Sequence, residues 1–135
     1  MLENAANRNE VVLFDAGQAL VLQVADWIRK HTDFTLRLVS SGSPVAIEAA
    51  VDSAATVIVD SSKDPDRAIE VLEIVSERLG RDHVAVYTEQ FHDGLEIIVR
   101  MLGSLLLPGP MSPIEWEAFF EPVTRPATTP ASATY

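Results

Sequence analysis

The chain has 135 residues, which suits one domain with a core of ordinary size. It has no cysteine, which excludes disulfides and cysteine-based metal sites, and its formal net charge of −10 disfavours binding to nucleic acid or anionic lipid. No apolar run approaches the roughly 20 residues of a spanning helix and no signal peptide is evident, so we expect a cytoplasmic protein without membrane association.

Short β-branched runs alternate with longer segments of helical period between two polar ends. We expect residues 1–9 and the Pro-, Thr- and Ala-rich tail 123–135 to be disordered, which leaves one domain at residues 10–122. The alternation within that domain predicts βαβ units and a parallel sheet.

Five strands are predicted, at residues 11–15, 35–39, 56–60, 84–88 and 104–107. Three of them are nearly continuous apolar runs, as strands covered on both faces should be. The second alternates polar with apolar residues, which favours a position at a sheet edge. We therefore predict a doubly wound, flavodoxin-like sheet with the strand order 2-1-3-4-5.

The predicted helix starts share one signature, a capping side chain followed by a proline. This signature occurs at Ser43, Asp64 and Ser112. Glu115 follows Ser112 by three residues and predicts a capping box, while Gly80 and Gly103 are expected at left-handed helix ends.

Two acidic residues end neighbouring strands of the predicted sheet. Asp15 ends strand one and Asp60 ends strand three, so both should lie at the switch-point crevice, with Thr88 on the next strand. Two carboxylates brought together repel each other and favour a bound cation. The alternative is that Asp15 and Asp60 have no functional role, because polar residues commonly end strands.

The segment VIVDSSKDPDRAIEVLEIV resembles, without a gap, the third strand and third helix of response-regulator receiver domains. The resemblance implies that Asp60 stands at the phosphoacceptor position. Asp15 matches the first of the family's two adjacent acids, and Ala16 replaces the second. Thr88 matches the hydroxyl residue that binds the phosphoryl group in the family.

The segment LLLPGPMSPIEWEAF resembles the family's Lys-Pro-x-Ser-Pro stretch, with Gly109 in place of the lysine. Leu106 stands near the position of the family's switch aromatic. The family neutralises the transferred phosphoryl group with Mg²⁺ and that lysine. We therefore expect no cofactor beyond a weak Mg²⁺ site at Asp15 and Asp60, and Lys63 is more simply a solvated loop residue than a substitute cation.

The resemblance thus implies a degenerate, or pseudo-, receiver: a signalling module that binds a protein, such as a kinase or a separate effector, without phosphotransfer or enzymatic activity. The apolar stretch from the fourth helix to the fifth predicts a homodimer interface. The residues predicted for it are Ile98, Met101, Leu102, Leu106 and Trp116. The alternative is that these side chains pack in the core.

Three other functions remain open. The first is a working receiver that is phosphorylated at Asp60. The second is a haloacid-dehalogenase-like phosphatase, because VVLFDAGQAL resembles its first motif, with Asp15 as nucleophile and Ser40 or Ser41 holding phosphate. The third is a module like an anti-sigma-factor antagonist, because Asp60-Ser61-Ser62 resembles its phosphoserine turn, although Lys63 replaces the expected glycine.

Overall fold

Strands and helices alternate along the chain in a computed structural model that describes residues 9–79, 83–90 and 93–124. The strands are β1 (Glu10–Phe14), β2 (Thr35–Val39), β3 (Ala54–Asp60), β4 (Val84–Thr88) and β5 (Leu105–Pro108). The helices are α1 (Gln18–Lys30), α2 (Pro44–Ala50), α3 (Pro65–Leu79), α4 (Asp93–Met101) and α5 (Pro113–Thr124).

The strands form one parallel sheet in the order β2-β1-β3-β4-β5, which confirms the predicted doubly wound topology. Strand β2 lies at the edge of the sheet, as its alternating pattern indicated. The predictions for β2 and β4 match their observed bounds, and the other three strands begin or end within two residues of their predicted positions.

Both faces of the sheet are buried, because successive side chains of a strand point to opposite faces. On one face the core side chains of β1 and β3, such as Val12 and Val57, pack against α2, α3 and α4. On the other face, neighbours such as Leu13 and Ile58 pack against α1 and α5. Each fully buried aliphatic side chain contributes about 1.5–3 kcal/mol to folding.

Capping side chains begin α2 and α3 as predicted. The Ser43 hydroxyl accepts a hydrogen bond from the Ala46 N–H at 3.3 Å, and the Asp64 carboxylate accepts one from the Arg67 N–H at 3.1 Å. Each bond satisfies a main-chain donor that the first helical turn leaves without a partner.

The predicted capping box begins α5. The Glu115 carboxylate accepts the Ser112 N–H at 2.8 Å, and the Ser112 hydroxyl accepts the Glu115 N–H at 3.3 Å. Gly103, just after α4, has the predicted left-handed conformation, with a φ of 76°. The matching prediction for Gly80 lies outside the described residues.

Aromatic side chains join α1 to α5. The rings of Trp27 and Phe120 stack with centroids 3.9 Å apart, and Trp116 stacks on Phe120 at 5.7 Å. All three side chains are buried, so α5 is held to the sheet by its aromatic face.

Helix α5 continues to Thr124, two residues beyond the predicted end of the domain, and Val123 packs against the aromatic core. The predictions of disorder for residues 1–8 and 125–135 lie outside the described residues. None of the helices in the described part of the chain is long and apolar enough to cross a membrane.

Candidate functional site

An open cavity of about 480 Å³ lies at the carboxyl ends of β1 and β3. Its lining includes Asp15, Ser41, Asp60, Lys63 and Arg67. These strands are direct neighbours, and the parallel pairing aligns Phe14 of β1 with Val59 of β3. The next residue of each strand is an aspartate, so the topology brings both acids to one cavity.

Asp60 is held by main-chain donors. Its side chain is buried, and its two carboxylate oxygens accept the N–H groups of Gly17 and Ser62, each at 2.9 Å. Gly17 lies just before α1, and Ser62 lies in the turn after β3. The carboxylate is therefore fixed between two loops.

Asp15 is held by the loop that follows β2. The Ser41 N–H donates to one carboxylate oxygen at 2.8 Å, and the Ser41 hydroxyl donates to the other at 2.7 Å. The N–H of Asp15 itself donates to the Val39 carbonyl at 2.9 Å. Asp15 has a left-handed φ of 55°, which Asp tolerates better than most residues.

Arg67, in the first turn of α3, reaches the same loop. Its Nε donates to the Ser41 hydroxyl at 2.9 Å, one terminal nitrogen donates to the Gly42 carbonyl, and the other pairs with Glu70 at 2.9 Å. Arg67 was not among the site residues predicted from the sequence. The available signal was its position in the first helical turn after a strand that ends at the crevice.

Thr88, the predicted switch hydroxyl, is buried and makes local contacts. Its hydroxyl donates to the Gln90 carbonyl at 2.6 Å and accepts the Gln90 N–H at 3.2 Å. These bonds fix the turn after β4. The residue of β4 that pairs with Asp60 in the sheet is Tyr87.

The ring of Tyr87 fills the space beside Gly109. A Cβ atom at position 109 would lie 2.2 Å from both Cζ and the hydroxyl oxygen of Tyr87. Real Cβ atoms do not approach other heavy atoms so closely, so any side chain at this position requires Tyr87 to move. Gly109 thus permits a packing that the lysine of the receiver pattern would prevent.

The Tyr87 hydroxyl has hydrogen-bond partners inside the protein. It donates to the Glu89 carboxylate at 2.8 Å and accepts a bond from the Gln23 side-chain amide at 2.9 Å. Burial raises the pKa of Tyr87 to about 12; the bond from Gln23 opposes this rise and the Glu89 carboxylate adds to it. The hydroxyl therefore stays neutral in all ordinary buffers.

Lys63 lines the cavity and has no ion-pair partner among the described residues. Its Cε lies 3.9 Å from the point where a Gly17 Cβ would stand, and one Asp60 oxygen lies 3.6 Å from that same point. Among the described residues, no hydrogen bond or ion pair engages its ammonium group. Lys63 is therefore an exposed cation near Asp60.

The residues around the cavity offer few of the oxygen ligands that Mg²⁺ prefers. This ion prefers about six oxygen ligands in octahedral geometry. Asp15 and Asp60 share their carboxylate oxygens with protein N–H and hydroxyl donors, and Ala16, where the receiver pattern has a second acid, offers no side-chain ligand. The part of the chain that the structure describes contains no cluster of three or more His, Cys, Asp or Glu suited to a metal.

The residues predicted for an interface divide into two groups. Met101 is 78% exposed, whereas Ile98, Leu102 and Leu106 are half-buried. Trp116 is 2% exposed, so its side chain belongs to the α1–α5 core and is not available to a partner. The predicted homodimer itself stays a prediction.

Two further apolar side chains, which sequence reasoning did not select, are exposed in this region. Ile97 is 57% exposed one helical turn before Met101, and Leu105 is 55% exposed on edge strand β5. We call Ile97, Met101 and Leu105 the α4–β5 surface.

The serines of the alternative functions occupy different environments. Ser61 is fully buried, and its hydroxyl donates to the Tyr87 carbonyl at 3.1 Å. Ser40 and Ser41 both line the cavity, and only Ser41 has a hydrogen bond to Asp15.

Replacing Gly109 with Ala should lower the free energy of unfolding by about 1–3 kcal/mol, because the new methyl group overlaps the Tyr87 ring. Gly94→Ala is the matched control, since no described residue lies within 4 Å of a Cβ at that helical position. It should be neutral or stabilise the fold by up to about 1 kcal/mol. Urea denaturation measures both; equal stabilities would contradict the packing described for Tyr87.

Tyr87 should ionise near pH 12 in the folded protein, about two pH units above an unburied tyrosine. Because the unfolded chain loses this proton first, stability should fall as pH rises from about 10 to 12. The chain has two tyrosines, so Tyr135→Phe isolates the signal. Tyrosinate absorbance should show the raised midpoint in native buffer and about 10 in urea; a native midpoint of about 10 would refute a buried, bonded hydroxyl.

No protein-family model and no curated protein sequence matches the chain. Solved structures do match. A CheY-like protein, tadZ, from Pseudomonas aeruginosa aligns with a TM-score of 0.68 at 11% identity, covering 85% of this chain and 98% of its own. A signal receiver domain of a two-component histidine kinase from Clostridium thermocellum aligns with 0.67 at 13% identity, covering 87% and 98%.

A third similar structure is described as a CpaE2 pilus assembly protein from Sinorhizobium meliloti. It aligns with a TM-score of 0.59 at 19% identity and covers 84% of this chain and 98% of its own. At these identities the likeness concerns the fold. The chain thus has the five-stranded, flavodoxin-like fold of CheY-like receiver domains.

Proposed function

We propose that this chain is a receiver-like signalling module that binds protein partners without accepting a phosphoryl group on Asp60. The observation that carries the proposal is that donors of the chain itself hold both acids of the pocket. Main-chain N–H groups bond both oxygens of Asp60, and Ser41 bonds both oxygens of Asp15.

Phosphoryl transfer to a carboxylate depends on cations that neutralise the phosphoryl oxygens. Here Tyr87 packs against the position of the missing lysine, and Arg67 is engaged by Ser41, Gly42 and Glu70. Among the described residues, no cluster of three or more His, Cys, Asp or Glu is suited to a divalent ion. A phosphoryl group on Asp60 would therefore lack most of the compensating charge that it requires.

One observation favours a second candidate, a working receiver. Lys63 lines the cavity near Asp60, pairs with none of the described residues, and would compensate part of the charge of a phosphoryl group. It would act from the loop after β3. The phosphorylation experiment below separates this candidate from the main proposal.

The partner class is a protein, and the chain is expected to act in the cytoplasm and to have no enzymatic activity. The net charge of −10 supports the exclusion of nucleic acid and anionic membrane. A pilus-assembly protein and a histidine-kinase receiver domain share the fold, so we propose an assembly component, a kinase or a separate effector as the partner.

We also propose that the α4–β5 surface mediates a homodimer. Ile97 and Met101 project from one side of α4, and β5, which contacts this helix, is the last strand of the sheet. Exposed apolar side chains next to an edge strand are suited to association, because burial removes apolar area from water.

Incubation with Mg²⁺ and acetyl phosphate should leave the mass of the protein unchanged, because Gly109 replaces the lysine that neutralises the phosphoryl group and Ala16 replaces an acid that helps to hold Mg²⁺. Intact mass spectrometry provides the measurement. Asp60→Asn is the control, since it removes the acceptor carboxylate and keeps the size of the side chain. A stoichiometric adduct that Asp60→Asn abolishes would establish the working receiver instead.

Replacing Met101 with Glu should convert a dimer to a monomer, because a charge would have to be buried at the interface. Ile114→Glu on α5 is the matched control, since Ile114 is 81% exposed and lies outside the α4–β5 surface. Light scattering after size-exclusion chromatography measures the mass. A monomeric wild-type chain, or an unchanged dimer in Met101→Glu, would reject this surface.

A further inference from the structure

A chain of polar groups links α3 to the end of β1 through the cavity. Arg67 donates to the Ser41 hydroxyl, which in turn donates to Asp15. We infer that Arg67 is the resident cation of the pocket: through Ser41 it compensates Asp15 and organises the pocket without a divalent metal ion.

We call the hydrogen-bonded chain Arg67–Ser41–Asp15 the relay. The chemistry of its three groups determines which group donates and which accepts in each hydrogen bond. An arginine N–H can only donate, and an ionised carboxylate can only accept. The Ser41 hydroxyl must therefore accept from Arg67 at 2.9 Å and direct its own proton to Asp15 at 2.7 Å. Both hydrogen bonds involve a charged group, and such bonds are about twice as strong as neutral ones.

The backbone of Asp15 indicates that this arrangement is imposed by its surroundings. A left-handed φ of 55° is uncommon for a residue with a side chain and persists where neighbouring contacts hold it. Here the Ser41 N–H and hydroxyl hold the side chain, and the bond from the Asp15 N–H to Val39 holds the backbone. All three contacts direct Asp15 toward the end of β2.

Arg67 makes a second hydrogen bond to the loop between β2 and α2. A terminal nitrogen donates to the Gly42 carbonyl, so the guanidinium binds this loop at two neighbouring residues, Ser41 and Gly42. Its remaining nitrogen pairs with Glu70 one turn along α3. The relay therefore joins β1, the β2–α2 loop and α3 around the cavity.

A divalent ion would compete with this relay. At Asp15 it would share the carboxylate with the Ser41 donors and lie close to a guanidinium of the same charge sign. Removing Arg67 should reverse the preference, because Asp15 and Asp60 then line a cavity with less compensating charge. The inference rests on the proposed function in one respect, that the pocket works without a metal.

The test compares melting temperatures in EDTA and in millimolar MgCl2. The wild-type chain should melt at the same temperature in both. Arg67→Ala should melt roughly 4–8 °C lower in EDTA and recover part of this loss in MgCl2. Arg78→Ala is the matched control, because Arg78 lies on α3 and pairs with the exposed Asp52 at 2.9 Å; it should change little and show no response to Mg²⁺.

Ser41→Ala provides a second variant, since it removes the hydroxyl and keeps the main-chain bond to Asp15. It should melt lower than the wild-type chain and also respond to Mg²⁺. The inference is overturned if the wild-type chain gains as much from Mg²⁺ as Arg67→Ala does, or if Ser41→Ala behaves like the wild-type chain. If Arg67→Ala does not fold, Ser41→Ala decides the question.

The outcomes are separable from those of the proposed function. A phosphoryl adduct on Asp60 would refute the proposed function. The relay would still be accepted or rejected on the melting temperatures of the wild-type chain, Arg67→Ala and Ser41→Ala. The absence of an adduct together with a Mg²⁺-stabilised wild-type chain would refute the relay alone.

Discussion

The central pairing of β1 with β3 is the constraint on which the pocket depends. Both strands are buried on both faces, and their register places Asp15 and Asp60 one residue beyond the last aligned pair. Neighbouring parallel strands have their carboxyl ends at the same edge of the sheet, and at the switch point the segments that follow them run to opposite faces and leave a crevice. The pairing of these two apolar strands thus brings both acids to one cavity, and the loops around the acids determine their chemistry.

The loops satisfy these acids with the chain's own groups. Gly17 and Ser62 supply N–H donors to Asp60, while Ser41 connects Asp15 to Arg67. A buried carboxylate without partners would be costly, so these bonds also stabilise the fold. The same bonds orient both carboxylates toward protein donors, which is why we propose an interaction module in place of a phosphate acceptor.

Much of the fold could be predicted because its signals are local. Apolar strands, alternation in β2 and a capping side chain before a proline each depend on a few neighbouring residues, and the strand order followed from handedness rules. The position of Asp15 and Asp60 at one cavity followed from that order.

The remaining features depend on side chains that meet across the fold. Tyr87 overlaps the space beside Gly109 because β4 and β5 are neighbours, and no sequence pattern reports the direction of its ring. Arg67 was not predicted to belong to the pocket, because its hydrogen bond to Ser41 joins residues 26 positions apart in the sequence. Trp116 was hydrophobic enough for an interface, yet stacking with Phe120 buries it in the core.

The central claim, that the pocket is satisfied by the chain itself, is tested most directly by amide NMR. Spectra would be recorded during titration with Mg²⁺ and beryllium fluoride, which together imitate a phosphoryl group bound at a carboxylate. We predict that the amide signals of Gly17, Ser41 and Ser62 do not move. Saturable shifts of these three signals, abolished by Asp60→Asn, would contradict the claim and identify Asp60 as a working acceptor.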